Sequence, residues 1–339
     1  MTIVTVGIDL AKNVFAVHGI DVDGTPKLVR SAVKRADLAP LVASLSPCTI
    51  GMEACSGAHH WARLFSGYGH TVKLIAAKFV TPYRMTGRRS KNDAADAAAI
   101  CEALQRPNMR FVPVKTVDQQ QQLTLHRVRQ GFVQARTANM NRLRGLLSEF
   151  GIVMPLQART IKLETREHLD ELPAMVRDTI QDLLAEIRHL DERVSHYDKL
   201  LRRLASVRDT PANRLTQLPG VGETTATAIV ATIGNGHEFK NGRQFAAWLG
   251  LVPSQYSSGG KARLGRITKA GDSYLRTLLV LGARATLAHA GRRKDSISQW
   301  ALQLQNRRGY WKAVVAVAAK IARMAWAVLT RGDQFKLPV

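Results

Sequence analysis

The feature that most restricts the fold of this chain is a run of apolar residues in its middle: Ile180, Leu183, Ile187, Leu190, Val194, Tyr197, Leu201 and Leu204. The steps between them alternate between three and four. Such a stripe lines one face of an α-helix and no face of a strand, whose side chains repeat every two residues. Residues 176–204 therefore form one long helix with an a/d seam that needs a partner. One partner is the preceding segment, residues 119–150, which is long, polar and helical in character. It carries Arg127, Arg129, Arg136, Arg142 and Arg144 and is broken by Gly151 and Pro155. The other is a second copy of the chain. The regularity of the seam favours assembly, into a dimer or a tetramer.

Ahead of these helices the pattern is different. Residues 2–10 are rich in β-branched side chains and read as a buried strand ending in Gly7-Ile8-Asp9. Residues 14–21 and 27–33 read as two more strands, with Asp23-Gly24 as a hairpin turn. A helix over 38–45, a strand over 49–53, a helix over 58–68 and a strand over 71–76 follow. Helices over 79–84 and 92–104 complete the region. A hairpin followed by strand–helix alternation indicates a mixed α/β domain.

Two acids in this domain, Asp9 and Glu53, close their strands. Open α/β sheets bind ligands outside such strand ends. Two more, Asp93 and Asp96, stand three apart in Ser90-Lys91-Asn92-Asp93-Ala94-Ala95-Asp96-Ala97, so they share a helix face. Paired acids in a first turn can simply complement the helix dipole. Four carboxylates in one place repel one another, and divalent cations resolve the conflict. Mg²⁺ prefers carboxylate and water oxygens, and two such ions roughly 4 Å apart can clamp a reacting phosphodiester. His59 and His60 lie close to Glu53 and are weaker candidate ligands.

The charge balance points to the partner. Lys and Arg number 49 against 26 for Asp and Glu, a net charge of +23. Nucleic acid is the natural counter-surface for such a chain. The three cysteines, Cys48, Cys55 and Cys101, lack metal-type spacing, in keeping with a reducing cytoplasm. No signal-type N-terminus is expected, and the apolar residues 311–329, interrupted by Lys312, Lys320 and Arg323, read as a core helix with no membrane role.

Residues 209–213 mark a boundary. Leu218-Pro219-Gly220-Val221-Gly222 then opens an apolar helix, a Gly-rich turn whose backbone N–H groups suit a phosphate. It resembles the helix-hairpin-helix motif of DNA-binding proteins. Residues 257–272, Ser257-Ser258-Gly259-Gly260-Lys261-Ala262-Arg263-Leu264-Gly265-Arg266-Ile267-Thr268-Lys269-Ala270-Gly271-Asp272, read as a basic, flexible loop. Its Lys261, Arg263, Arg266 and Lys269, together with Gly220, Gly222, Arg88 and Arg89, are the candidate nucleic-acid contacts. Helices over 275–289 and 310–329 surround a C-terminal core.

In this order the pieces resemble the DEDD class of transposases from bacterial insertion sequences, a family that includes the pilin-gene inversion recombinase. The likeness rests on Gly7-Ile8-Asp9-Leu10-Ala11-Lys12, Met52-Glu53-Ala54 and Lys91-Asn92-Asp93-Ala94-Ala95-Asp96-Ala97. In the second half it rests on Leu218-Pro219-Gly220-Val221-Gly222, Ala247-Trp248-Leu249-Gly250-Leu251-Val252-Pro253, and the Ser258-Gly259 loop with Lys269-Ala270-Gly271-Asp272. The resemblance implies an α/β RNase H/RuvC-like domain over 1–115 with Asp9, Glu53, Asp93 and Asp96 as its acidic tetrad. It further implies a helical coiled-coil middle over 116–208 and a mostly α transposase domain over 209–339. It implies Mg²⁺, two ions per site, and Ser258 as a nucleophile forming a phosphoserine link to DNA, with Ser257 as the neighbouring alternative. A structured noncoding RNA encoded by the element is the implied further partner.

Other readings explain less. A junction resolvase using the four acids and water leaves the Ser258 loop unexplained. A sugar kinase or Hsp70-like ATPase would follow its first aspartate with a Gly/Thr phosphate turn, whereas Leu10-Ala11-Lys12-Asn13 stands here. An architectural DNA-binding protein gives no reason for the acids.

Overall fold

The computed structural model describes residues 2–84, 93–155, 157–257, 259–261 and 263–335, with the backbone alone at Asp93, Ala158, Arg159 and Lys162. It divides into two compact units, Met1–Thr116 and Val117–Val339.

The first unit is built on strands β1 (Thr5–Asp9), β2 (Val14–Ile20), β3 (Pro26–Lys34), β4 (Thr49–Glu53), β5 (Thr71–Ile75) and β6 (Phe111–Val112). Their order in the sheet is β3-β2-β1-β4-β5-β6. The hairpin strands β1 to β3 are antiparallel, β1, β4 and β5 run parallel, and β6 returns antiparallel at the edge. Helices α1 (Arg35–Ala43), α2 (Ala58–Gly67), α3 (Ala77–Val80) and α4 (Asp93–Leu104) complete the unit.

Strand alternation sorts the residues of β1 and β4 between two faces. Val6, Ile8, Ile50 and Met52 enter a core with Leu38 and Val42 of α1 and Trp61 and Phe65 of α2. Gly7 and Gly51, paired in register across β1 and β4, fall on the opposite face. There α4 lies directly on the strands. A Cβ at Gly7 would stand 2.2 Å from the Ala97 carbonyl oxygen, and one at Gly51 would stand 2.5 Å from Leu104. These two glycines make a floor on which a helix can rest closer than any side chain would permit. Ile100 and Ala103 of α4 seal the contact with Ile75 and Val80.

The second unit contains α5 (Val117–Ser148), α6 (Ala158–Glu167), α7 (Ala174–Ser206), α8 (Pro211–Leu215), α9 (Glu223–Ile233) and α10 (Gly242–Trp248). Beyond these come a two-stranded hairpin, β7 (Pro253–Gln255) and β8 (Leu264–Ile267), and helices α11 (Ser273–Ala290), α12 (Ser296–Arg308) and α13 (Tyr310–Arg331).

The seam helix α7 finds its partner within the chain. Met140, Leu143 and Leu147 of α5 pack with Ile180, Leu184 and Ile187 of α7. Further along, Arg136 pairs with Asp191 at 2.9 Å, Arg129 pairs with Asp198, and Phe132 faces Tyr197. Residue numbers rise on one helix as they fall on the other, so the two helices are antiparallel, and the two ion pairs repeat one heptad apart. The expectation that the seam joins two chains is therefore corrected along this stretch, where α5 already covers it. Its C-terminal end differs: Leu204 is 37% exposed and Ala205 takes the buried position. A strict 3.5-residue repeat drifts on a straight helix, which carries the apolar face round by one residue.

The second correction concerns residues 257–272. They are not a loop throughout, because Leu264–Ile267 forms β8 against β7. A helix over 296–308 was also not expected from the sequence. Its start is fixed by Asp295, whose carboxylate accepts from the Ser298 N–H at 2.9 Å. Helix α13 is long and apolar enough to cross a membrane, but Val314, Val317, Ile321, Ala325 and Val328 fill the core of this unit with Leu275, Leu279 and Ala283 of α11.

His126 of α5 is buried, and its Nδ1 lies 3.1 Å from the Tyr274 hydroxyl at the start of α11. Burial, aided by the nearby Arg129, brings its pKa down to about 4, so the ring is neutral at physiological pH.

Candidate active site

The same alternation that sends Gly7 and Gly51 toward α4 sends Asp9 and Glu53 there as well, two residues on along each strand. Because β1 and β4 are parallel neighbours with Ile8 opposite Met52, the two carboxylates leave the sheet side by side at its C-terminal edge. Both are partly buried. The Cys55 thiol beside them registers their charge: partial burial, then Glu53 and Asp9, raise its pKa.

The third acid comes from α4. Asp96 is 5% exposed, one turn before Ile100 on the face that rests over the glycines. Arg84 joins it to the strand end. The Arg84 Nε stands 2.8 Å from Asp96 Oδ1, and its Nη2 donates to Glu53 Oε1 at 3.3 Å. One guanidinium thus occupies the space between two carboxylates from different elements. A cation already sits where like charges would otherwise repel, and the carboxylate oxygens of Glu53 and Asp96 that face it are hard donors of the kind a divalent metal prefers. The residues fit such an ion. Asp93 lies at the first position of the same helix, one turn before Asp96, and its side chain is outside the described residues. Among the described residues no three His, Cys, Asp or Glu side chains form a closed cluster.

His59 and His60 are not in this arrangement. The His59 Nδ1 accepts from the Lys115 N–H at 3.2 Å, and His60 stacks edge-on against Trp61. Sequence reasoning missed two contributors, Arg84 and the Gly7–Gly51 floor. The paired Gly at equal offsets before Asp9 and Glu53 was the available signal for the second.

If Arg84 is the internal counter-cation of these acids, its loss should be felt most without metal. Arg84→Gln is expected to lower the melting temperature by a few degrees in EDTA and to enlarge the stabilisation by added Mg²⁺. Equal Mg²⁺ shifts in both proteins would separate Arg84 from the cation-binding carboxylates.

The other sequence-predicted residues, Arg88 and Arg89 apart, belong to the second unit. Ser258, Arg88 and Arg89 lie outside the described residues. Lys261, Arg263, Arg266 and Lys269 are all exposed, on or beside the β7–β8 hairpin. The root of that hairpin is interlocked with the turn after α10. A Cβ at Gly271, where φ is +72°, would stand 1.9 Å from the Trp248 carbonyl oxygen. Arg276 ties the same turns by donating to the carbonyls of Leu249 and Ala270, each at 3.0 Å. Asp272 then caps α11 by accepting from the Leu275 N–H at 2.9 Å. The motifs around Trp248 and Gly271, distant in sequence, form one clamp. Gly220 and Gly222 lie in the turn that leads into α9, beside an open concavity of about 610 Å³ that includes Arg293 and Asp295.

Comparison with known proteins completes the picture. Residues 6–152 match a family model described as a transposase of the DEDD IS110 type, and residues 212–298 match the transposase IS116/IS110/IS902 family. The chain is 44% identical over 337 residues to the "Probable family 20 transposase" of Pseudomonas aeruginosa, covering 98% of each. It is 41% identical over 335 residues to the "Transposase for insertion sequence element IS1111A" of Coxiella burnetii, covering 97% of this chain and 90% of that one. A more distant relative is the "Pilin gene-inverting protein" of Moraxella lacunata, 23% identical over 284 residues, or 81% of this chain and 77% of that protein. With its mixed α/β sheet of the DEDD type followed by a mainly helical transposase region, the chain belongs to the IS110/IS116/IS902 family of insertion-sequence transposases, enzymes that catalyse DNA transposition and whose nuclease-like domain implies a divalent metal.

Proposed function

We propose that this transposase breaks and rejoins DNA with Asp9, Glu53, Asp93 and Asp96 as an acidic tetrad and Ser258 as nucleophile. The observation that carries the reading is Arg84, which bridges Glu53 at the end of β4 and Asp96 of α4, with Asp9 closing the neighbouring parallel strand. The tetrad would hold Mg²⁺, two ions per site, which when bound supply charge neutralisation for the phosphate. The Ser258 oxygen forms a bond to phosphorus as one strand P–O bond breaks, and the departing strand oxygen takes up a proton. A DNA hydroxyl later reverses the step on a new strand and returns the serine. Ser257 is the alternative position for this role. We assign the acids to a RuvC-like domain over 1–115, the long helices to 116–208 and the serine to a transposase domain over 209–339.

On this reading the turn containing Gly220 and Gly222 acts in the manner of a helix-hairpin-helix and meets phosphates, together with Arg88, Arg89 and the basic hairpin. An element-encoded noncoding RNA selects the DNA by pairing, and a dimer or tetramer acts in the cytoplasm on the nucleoid. The test is recombination of a plasmid carrying the element's own flanking DNA. New junctions should appear with Mg²⁺ and be absent in EDTA, and their absence under both conditions would count against the proposal.

The phosphate contacts have a separate signature. Neutralised phosphates release counterions, so affinity falls with log salt in proportion to the contacts made. Replacing Arg263, Arg266 and Lys269 by Ala should reduce that slope by about 2–3, measured by fluorescence anisotropy on duplex DNA. An unchanged slope would remove these residues from the interface.

A further inference from the structure

The corner between α12 and α13 carries Arg307-Arg308-Gly309-Tyr310-Trp311-Lys312. Trp311 is 66% exposed and Tyr310 37% exposed, although a tryptophan is among the costliest side chains to leave in water. The two rings meet edge to face at 5.2 Å between centroids. Arg284, on the exposed side of α11, holds its guanidinium 5.9 Å from the Trp311 ring centre. Arg307, Arg308 and Lys312 are exposed around them. Helices α11, α12 and α13 contain no acidic residue at all. This surface is therefore both aromatic and uniformly positive.

We propose that Trp311, with Tyr310 and Arg284, is a stacking platform for an unpaired stretch of DNA. The inference rests on the DNA-binding role of the family and adds a surface for exposed bases. Every base has a π-face, so aromatic side chains bind single strands with little regard to sequence, while flanking Arg and Lys follow the phosphates. Base pairs in a duplex hide those faces, so the platform discriminates between the two forms of DNA. A second copy of this chain is a poor occupant of the patch, because a symmetric contact would set Arg307, Arg308 and Lys312 against themselves with no acid to answer them. DNA strand exchange passes through unpaired strand ends, which gives such a surface a substrate.

The test measures binding of a labelled single-stranded DNA, the duplex of the same sequence and the matching RNA to the full chain, in wild type, Trp311→Ala and Trp311→Phe. Because Trp311 is largely exposed, both variants should keep the wild-type circular dichroism and melting temperature. Trp311→Ala should weaken single-stranded DNA binding about tenfold, the effect of losing one stacked base, with duplex binding changed less than about twofold. Trp311→Phe should recover most of the loss, and the salt dependence should be unchanged because no charge is removed. Equal losses on single strand and duplex would overturn the proposal, as would no loss. A loss confined to RNA would assign the surface to RNA instead. A change in solution mass with DNA binding intact would make it an interface between copies. In each of these cases duplex binding by the wild type would still stand for the transposase reading.

Discussion

Asp96→Asn is expected to reduce recombination by roughly 10²–10³-fold, the loss typical when one preorganised charge is removed from a reacting centre. The substitution keeps the shape of the side chain and removes its charge. Asp96 is buried on α4 and cannot be replaced by a solvent-borne carboxylate, and its neighbour Glu53 reaches the same site from a separate strand. The fold should survive, because Arg84 keeps its contact with Glu53 and an Asn amide oxygen can still accept from it. A thermal melt within a few degrees of wild type, with junction formation lost, is the expected pair of results. Near-wild-type recombination in Asp96→Asn would remove this residue from the catalytic set.

Ile187→Asp should cost about 4 kcal/mol or more of stability, through the loss of a buried aliphatic side chain and the burial of an unpaired charge. Ile187 is fully buried between α5 and α7, in the same cluster as Leu143 and Leu147. Leu204→Asp, at the exposed end of the same seam, should cost less than about 1 kcal/mol. Urea unfolding followed at several protein concentrations measures both. Because α5 covers the seam within one chain, the loss in Ile187→Asp should not depend on concentration. A loss that shrinks as concentration rises would place the seam between chains.

Much of this architecture was legible because periodicity is a local signal. The β-branched run before Asp9, the alternation through Glu53 and the 3–4 steps of α7 each follow from spacing alone. The partner of α7 was not legible. A seam states that it must be covered, and the apolar face of α5 at Met140, Leu143 and Leu147 together with the counter-charges Arg129 with Asp198 and Arg136 with Asp191 matches α5 to it. The strand Leu264–Ile267 was hidden by its composition, since Gly265 and Arg266 read as loop and only the pairing with β7 holds them extended. Asp9 and Glu53 could be placed because they terminate parallel neighbours. Arg84 could not, since it lies after a short helical turn with no period and acts through a contact with residues 31 and 12 positions away. The clamp at Gly250 and Gly271 shows the same limit, as the two turns explain each other only when seen together.

The reading of acids and serine as one reaction centre is tested most directly by the covalent bond it requires. A serine hydroxyl is a weak nucleophile at neutral pH and needs a base or a metal to activate it, and on the proposed reading the metals of the acidic tetrad would serve Ser258. Incubation of the protein with labelled element-end DNA and Mg²⁺ should give a protein–DNA adduct that survives denaturation. The adduct should vanish in Ser258→Ala and in Asp9→Asn alike, and Ser257→Ala should retain it. An adduct that persists in Ser258→Ala would contradict the assignment of Ser258 and move the nucleophile to another side chain, Ser257 if the adduct is lost in Ser257→Ala, and wild-type cleavage with no adduct at any time would leave water as the nucleophile of the four acids.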